Sequence, residues 1–208
     1  MTQRTACWLG VVLLGIASAA SAAPVAPRQV LSADFDWRFV LGDTAGAEAP
    51  GFDDASWRVV QLPHDWGIES PPAETSPTKG GGGFFPAGVG WYRRTFQAPA
   101  AWKGKRISVE FDGVYRNATV YLNGQKLGTR PSGYSGVAYD LTSGLLYGAR
   151  NVLAVRVDNA SQPNSRWYSG SGIYRHVWIV VTDSVHVGHW GVFVTTPEIG
   201  RASCRERV

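Results

Sequence analysis

Apolar residues recur at every second position in short runs, and no stretch between Asp34 and Thr196 sustains a 3.6-residue apolar period for three turns. Ile107, Val109 and Phe111 alternate with Ser108, Glu110 and Asp112, and Ala118, Val120 and Leu122 alternate with Thr119, Tyr121 and Asn123. Leu153, Val155 and Val157, then Val177, Ile179 and Val181, repeat the pattern. Asn123-Gly124 closes the second run as a two-residue hairpin turn, whose central positions both favour positive φ. Gly and Pro fill almost every gap. Half-buried strands with such punctuation predict an all-β chain folded as an antiparallel sandwich, most simply a jelly roll.

The two ends differ from this pattern. Met1 to Ala22 begins with Arg4, continues as an apolar run from Ala6 to Ile16 and closes on Ala17-Ser18-Ala19-Ala20-Ser21-Ala22, the order of a secretory signal cleaved after Ala22. The run is about half of the roughly 20 residues that a membrane-spanning helix needs. At the other end, Ile199-Gly200-Arg201-Ala202-Ser203-Cys204-Arg205-Glu206-Arg207-Val208 resembles the in-frame translation of a common sequencing-adapter oligonucleotide. The expected organisation is a signal over 1–22, a linker over 23–33, a jelly roll over 34–198 and adapter read-through over 199–208. Cys7 and Cys204, the two cysteines, both fall in the ends. The formal charge of +4 also shrinks: without Arg4, Arg201, Arg205, Arg207 and Glu206, 16 basic residues face 15 acidic ones. That near-balance gives no electrostatic footprint for nucleic acid. A secreted or periplasmic location is expected, with no membrane span.

The stretch from Ile68 to Gly90 contains Pro71-Pro72, Pro77, four consecutive glycines from Gly80 to Gly83 and Pro86, so it reads as a long loop, and Phe84-Phe85 suggests that it covers something. No Gly-Lys-Ser/Thr follows the glycines, which excludes a phosphate cradle. His64-Asp65 has no Gly-x-Ser-x-Gly partner for a triad, and four scattered His without HExxH give no metal signature. On their own, His64 and Asp65 read as a strand exit fixed by side-chain-to-backbone hydrogen bonds. The segment Asn164-Ser165-Arg166-Trp167-Tyr168-Ser169-Gly170-Ser171-Gly172-Ile173-Tyr174-Arg175 concentrates aromatics, Arg and Gly between strands. Aromatic platforms beside multi-donor planar groups suit the C–H faces and hydroxyls of a sugar. Spacing alone favours the blander reading, with Trp167 and Tyr174 as core anchors and Arg175 as a solvated partner.

Taken together, Phe52 to Trp66, Gly90-Trp91-Tyr92-Arg93-Arg94-Thr95-Phe96, Phe111-Asp112-Gly113-Val114, Val120-Tyr121-Leu122-Asn123-Gly124, Leu127-Gly128, Tyr139-Asp140-Leu141-Thr142 and Asn164 to Arg175 resemble the N-terminal sugar-binding domain of family 2 glycoside hydrolases, in particular secreted bacterial β-galactosidases. The resemblance covers nearly all of Asp34 to Thr196. It implies a jelly roll followed in the same polypeptide by an immunoglobulin-like domain and a TIM barrel, whose two Glu carry out retaining hydrolysis of an oligosaccharide substrate. None of Glu48, Glu69, Glu74, Glu110, Glu198 and Glu206 stands in the family's catalytic motif, so this stretch is expected to be inactive alone. The resemblance implies that Arg166 binds a sugar hydroxyl with Asn164 and Ser165 supporting it, and makes Asp65 and Trp66 weaker substrate-binding candidates. Some members carry Asp near Ser165 for galactose and sodium; with Ser there, no metal and no cofactor are expected. The alternative is a free-standing secreted carbohydrate-binding module.

Overall fold

A computed structural model describes residues 28–198 and 201–206. The signal stretch over 1–22 and residues 23–27 of the expected linker lie outside the described residues. Ten strands build a sandwich of two fully antiparallel sheets. The smaller has the order β1 (Arg28–Ser32), β10 (Val177–Thr182), β5 (Arg106–Phe111), β8 (Val137–Asp140). The larger has the order β3 (Arg58–Val60), β2 (Trp37–Leu41), β4 (Val89–Gln97), β9 (Arg150–Asp158), β6 (Ala118–Leu122), β7 (Gln125–Arg130). All four alternating runs read from the sequence are strands. Asn123 and Gly124 have φ of 50° and 84°, as a hairpin turn joining β6 to β7 requires.

Register explains the core. Phe39, Tyr92, Val155 and Val120 lie opposite one another across β2, β4, β9 and β6, so they share one face of the larger sheet. They meet Ile107, Val109, Phe111, Ile179 and Val181 from the smaller sheet in one cluster. Alternation thus sends one side of each sheet inward, where removal of apolar area from water is the main favourable term.

β9 departs from half-burial, since Asn151 to Val155 are buried on both faces. A second, outer cluster of Ala47, Trp57, Trp91 and Ala154 covers its far side. Arg93, fully buried, organises this layer. Its Nε donates to Asp54 Oδ2 at 2.8 Å, its Nη1 donates to the carbonyls of Ala47 and Ala49, and its guanidinium lies 5.4 Å from the centre of the Phe52 ring. One side chain therefore satisfies several carbonyls of the 43–57 loop and pins it over the sheet.

The domain limits shift at both ends. Arg28–Ser32, within the expected linker, is strand β1 and pairs along its whole length with β10. At the other end the sandwich closes with Thr182, and residues 183–191 fold back over the smaller sheet, where His189 pairs with Glu110 at 3.0 Å. β11 (Val192–Glu198) belongs to neither sheet; it pairs with β12 (Arg201–Glu206), and Val192, Phe193 and Val194 are exposed.

Replacing Arg93 with Met strands the Asp54 carboxylate and the loop carbonyls. It is expected to cost about 3–5 kcal/mol and lower the melting temperature by roughly 10 °C. Arg106→Ala, which removes an exposed pair with Asp140, should cost about 1 kcal/mol or less. Equal shifts in thermal melts of the two variants would contradict this division.

Candidate sugar-binding lip

Three connections meet at one end of the sandwich: the turn after β3 (residues 61–68), the loop 69–88 and the β9–β10 connection (residues 159–176). Backbone hydrogen bonds join the first to the last, from His64 N to Ile173 O at 2.8 Å and from Trp66 N to Ser171 O at 3.0 Å. Gly172 permits this approach. Its φ is +129°, and a Cβ there would stand 2.6 Å from the His64 carbonyl and press on the Tyr92 hydroxyl.

Asp65 is the clasp. Its Oδ1 accepts from the amides of Gly67 (2.9 Å) and Ser171 (2.8 Å), and its Oδ2 accepts from the Tyr168 hydroxyl at 2.5 Å. Burial, reinforced by the bond to Asp65, pushes the Tyr168 phenol well up, so the ring keeps its proton and stays a donor. Both carboxylate oxygens are thus engaged within the protein. Asp65 shapes the lip.

Trp66, the other candidate carried over with Asp65, lies in the core. It is only 2 % exposed and stacks on Phe39 at 5.6 Å with an interplanar angle of 23°. With its faces in the core it has none to offer a sugar. The motif had shown an aromatic beside a polar pair, and nothing local marks which way such a ring turns.

Asn164 and Ser165 knit the loop. Asn164 Nδ2 donates to Oδ1 of the buried Asn159 at 2.5 Å, and Asn159 Nδ2 donates to Ser171 Oγ at 2.8 Å. Ser165 Oγ lies 3.0 Å from Ser169 Oγ and donates to the Trp167 carbonyl. Arg166, at the tip, is exposed and makes no hydrogen bond or ion pair among the described residues. Beside it Trp167 is 63 % exposed, contrary to its expected role as a core anchor, and its indole N–H donates to the hydroxyl of Tyr134, itself 60 % exposed, at 3.4 Å. Tyr134 was missed in the sequence; Pro131-Ser132-Gly133-Tyr134-Ser135-Gly136, a turn-rich run around one aromatic, was the available signal. The 69–88 loop covers the flank, with Phe85 4.9 Å from Tyr168 in edge contact. The arrangement presents a free guanidinium beside two aromatic surfaces on a braced loop.

Below the lip, His64 Nδ1 lies 2.6 Å from the Tyr92 hydroxyl and Nε2 3.0 Å from Glu69 Oε1, while Arg58 donates to Glu69 Oε2 at 2.6 Å. Burial raises the Tyr92 phenol well above its usual range, so its O–H donates to Nδ1 and the imidazole proton sits on Nε2, facing Glu69. The Arg58 hydrogen bond holds Glu69 below the usual carboxylate range, which favours its ionised form and makes it a poor proton donor for glycoside cleavage. Among the described residues no group of three or more His, Cys, Asp or Glu could hold a metal ion, and no helix is long and apolar enough to cross a membrane.

Comparison with known proteins bears on this geometry. Residues 84–183 match the family model for the sugar-binding domain of glycosyl hydrolases family 2. A β-galactosidase of Bacteroides ovatus, BoGH2A, is 53% identical over 184 residues, covering 88% of this chain and 22% of that protein. A solved family 2 glycosyl hydrolase from Bacteroides cellulosilyticus superposes with a TM-score of 0.78 at 43% identity, over 81% of this chain and 22% of that one. A β-glucuronidase structure from Bacteroides uniformis gives a TM-score of 0.71 at 33% identity, over 82% and 20%. The chain contains the sugar-binding domain of glycosyl hydrolases family 2. It spans about a fifth of the length of these relatives.

Burial is the largest influence on His64 and holds its pKa below the ordinary imidazole value. From about pH 6.5 downward the unfolded chain takes up a proton that the folded one refuses, so stability falls with pH. Urea midpoints should therefore drop between about pH 7.5 and about pH 5.5, and drop less in His64→Gln. An identical drop in both proteins would show that His64 does not set the trend.

Proposed function

We propose that this chain is the N-terminal part of an exported retaining glycoside hydrolase, an exo-acting β-galactosidase, in which the Arg166–Trp167 lip forms one wall of the site for the terminal sugar. The observation that carries the reading is the unengaged Arg166 guanidinium on a loop braced by Asp65 and Asn159, beside the exposed Trp167. A guanidinium donates to hydroxyls without needing a proton of its own, and an indole face packs on sugar C–H bonds. The activities of the relatives, β-galactosidase and β-glucuronidase, support the class.

The retaining reaction needs two carboxyl groups about 5–5.5 Å apart, one as nucleophile and one as acid/base. Glu69 and Glu110 are each committed to ion pairs and belong to no such couple. In this reading the reacting pair lies on a barrel further along the polypeptide. We place the junction with adapter-derived sequence after Glu198. The exposed apolar start of β11 then leads into the next domain, and export removes residues 1–22.

Reading the gene past the Glu198 codon should reveal a continuing frame. The protein that it encodes should hydrolyse p-nitrophenyl β-galactoside, while the 208-residue chain should not. Arg166→Ala in the longer protein should lower kcat/KM by about 10- to 100-fold, the loss expected for one hydrogen bond involving a charged group. A stop codon in place of the continuing frame would favour a free-standing binding module, and an unchanged kcat/KM would remove Arg166 from the site.

A further inference from the structure

A second cleft, of about 500 Å³, opens between the β7–β8 connection and the segment that folds back after β10. Arg130, at the end of β7, and Arg175, just before β10, both line it, together with Tyr134 and with Trp190, which is 73 % exposed. Neither guanidinium has a hydrogen-bond or ion-pair partner among the described residues, and Arg130 Nε is buried without one. One carboxylate, Asp112, also lines the cleft, with its Oδ2 accepting from the Trp178 indole at 3.0 Å. His189 is turned to Glu110. Two uncompensated planar cations therefore face one partly engaged anion.

The cleft is also built. A Cβ at Gly113 would come within 2.9 Å of Arg175 Cδ, so glycine there lets the arginine stem lie against the backbone. The Tyr174 hydroxyl donates to the Gly133 carbonyl at 2.8 Å and so anchors the loop that carries Tyr134. Leaving the buried Arg130 Nε–H unpaired is costly, whereas an oxyanion accepts from a guanidinium fork in two places at once and can also reach the exposed Arg175. Flanking aromatic surfaces suit the C–H face of a pyranose.

We infer that this cleft binds a pyranose carrying an oxyanion, carboxylate or sulfate, at a position that shares the Tyr134 edge with the lip but uses Arg130 and Arg175 in place of Arg166. The oxyanion sits against Arg130 and Arg175, the ring lies between Tyr134 and Trp190, and the remaining Asp112 oxygen accepts a sugar hydroxyl. Binding here needs no catalysis, so it stands or falls independently of the glycosidase reading.

The test is an NMR titration of the ¹⁵N-labelled 208-residue chain with methyl β-D-glucuronide, galactose 6-sulfate, neutral methyl β-D-galactoside and acetate. The Trp190 indole signal should move with at least one of the two anionic sugars, and which of them binds tells carboxylate from sulfate. The neutral sugar should bind at least about tenfold more weakly, as should the anionic sugar to Arg175→Gln. Arg175 is exposed, so that variant should keep the β9 amide spectrum of the parent; Arg130→Gln is the second variant. Equal binding of the neutral sugar, the same Trp190 shift with acetate alone, shifts at Trp167 in place of Trp190, no shift at all, or undiminished binding by both variants would each overturn the inference.

Discussion

The Asp65 carboxylate holds together two segments about a hundred residues apart, and the form of the lip depends on that bond set. Its two amide donors and one phenol donor come from Gly67, Ser171 and Tyr168, so one side chain closes its own turn and fastens the β9–β10 connection. A connection of that length on a sandwich end would otherwise carry much conformational entropy. Anchored by Asp65 on one side and Asn159 on the other, the loop can leave Arg166 and Trp167 uncommitted. Exposure of a large aromatic and a charge at a braced tip is what a recognition surface requires.

The rest of the domain serves that end. The inner core sets the spacing of the sheets, and the outer layer under Arg93 fixes β4 and β9 from the other side. β4 supplies Tyr92 to the His64 bond and β9 runs directly into Asn159, so rigidity of these central strands is passed to the lip. The position of His64 between Tyr92 and Glu69 ties the same turn to β3 through Arg58.

Much of this was legible in the chain. Strands show locally, because alternation has a period of two and a turn such as Asn123-Gly124 requires positive φ; these were read correctly from Ile107 to Val181. What escaped depends on partners distant in sequence. Trp66 was a weaker substrate-binding candidate by resemblance, yet it stacks on Phe39, and Trp167 looked like a core anchor, yet it stands in solvent. Composition is similar at both sites, and only the tertiary fold decides which ring faces outward. Arg93 was visible as part of a motif, but its carbonyl partners lie more than forty residues away. Strand β1 was missed for a related reason: a short edge strand shows little alternation, and its pairing with β10 is the longest-range contact in the sheet.

The central claim is that a single carboxylate shapes the lip without supporting the fold as a whole. Hydrogen exchange measured residue by residue on Asp65→Ala tests it most directly. The account predicts that protection at the Gly67 and Ser171 amides is lost, and that exchange quickens through residues 164–171, while the β4 and β9 amides exchange as in the parent. Unchanged protection at Ser171, or loss of protection across the whole sandwich, would contradict it.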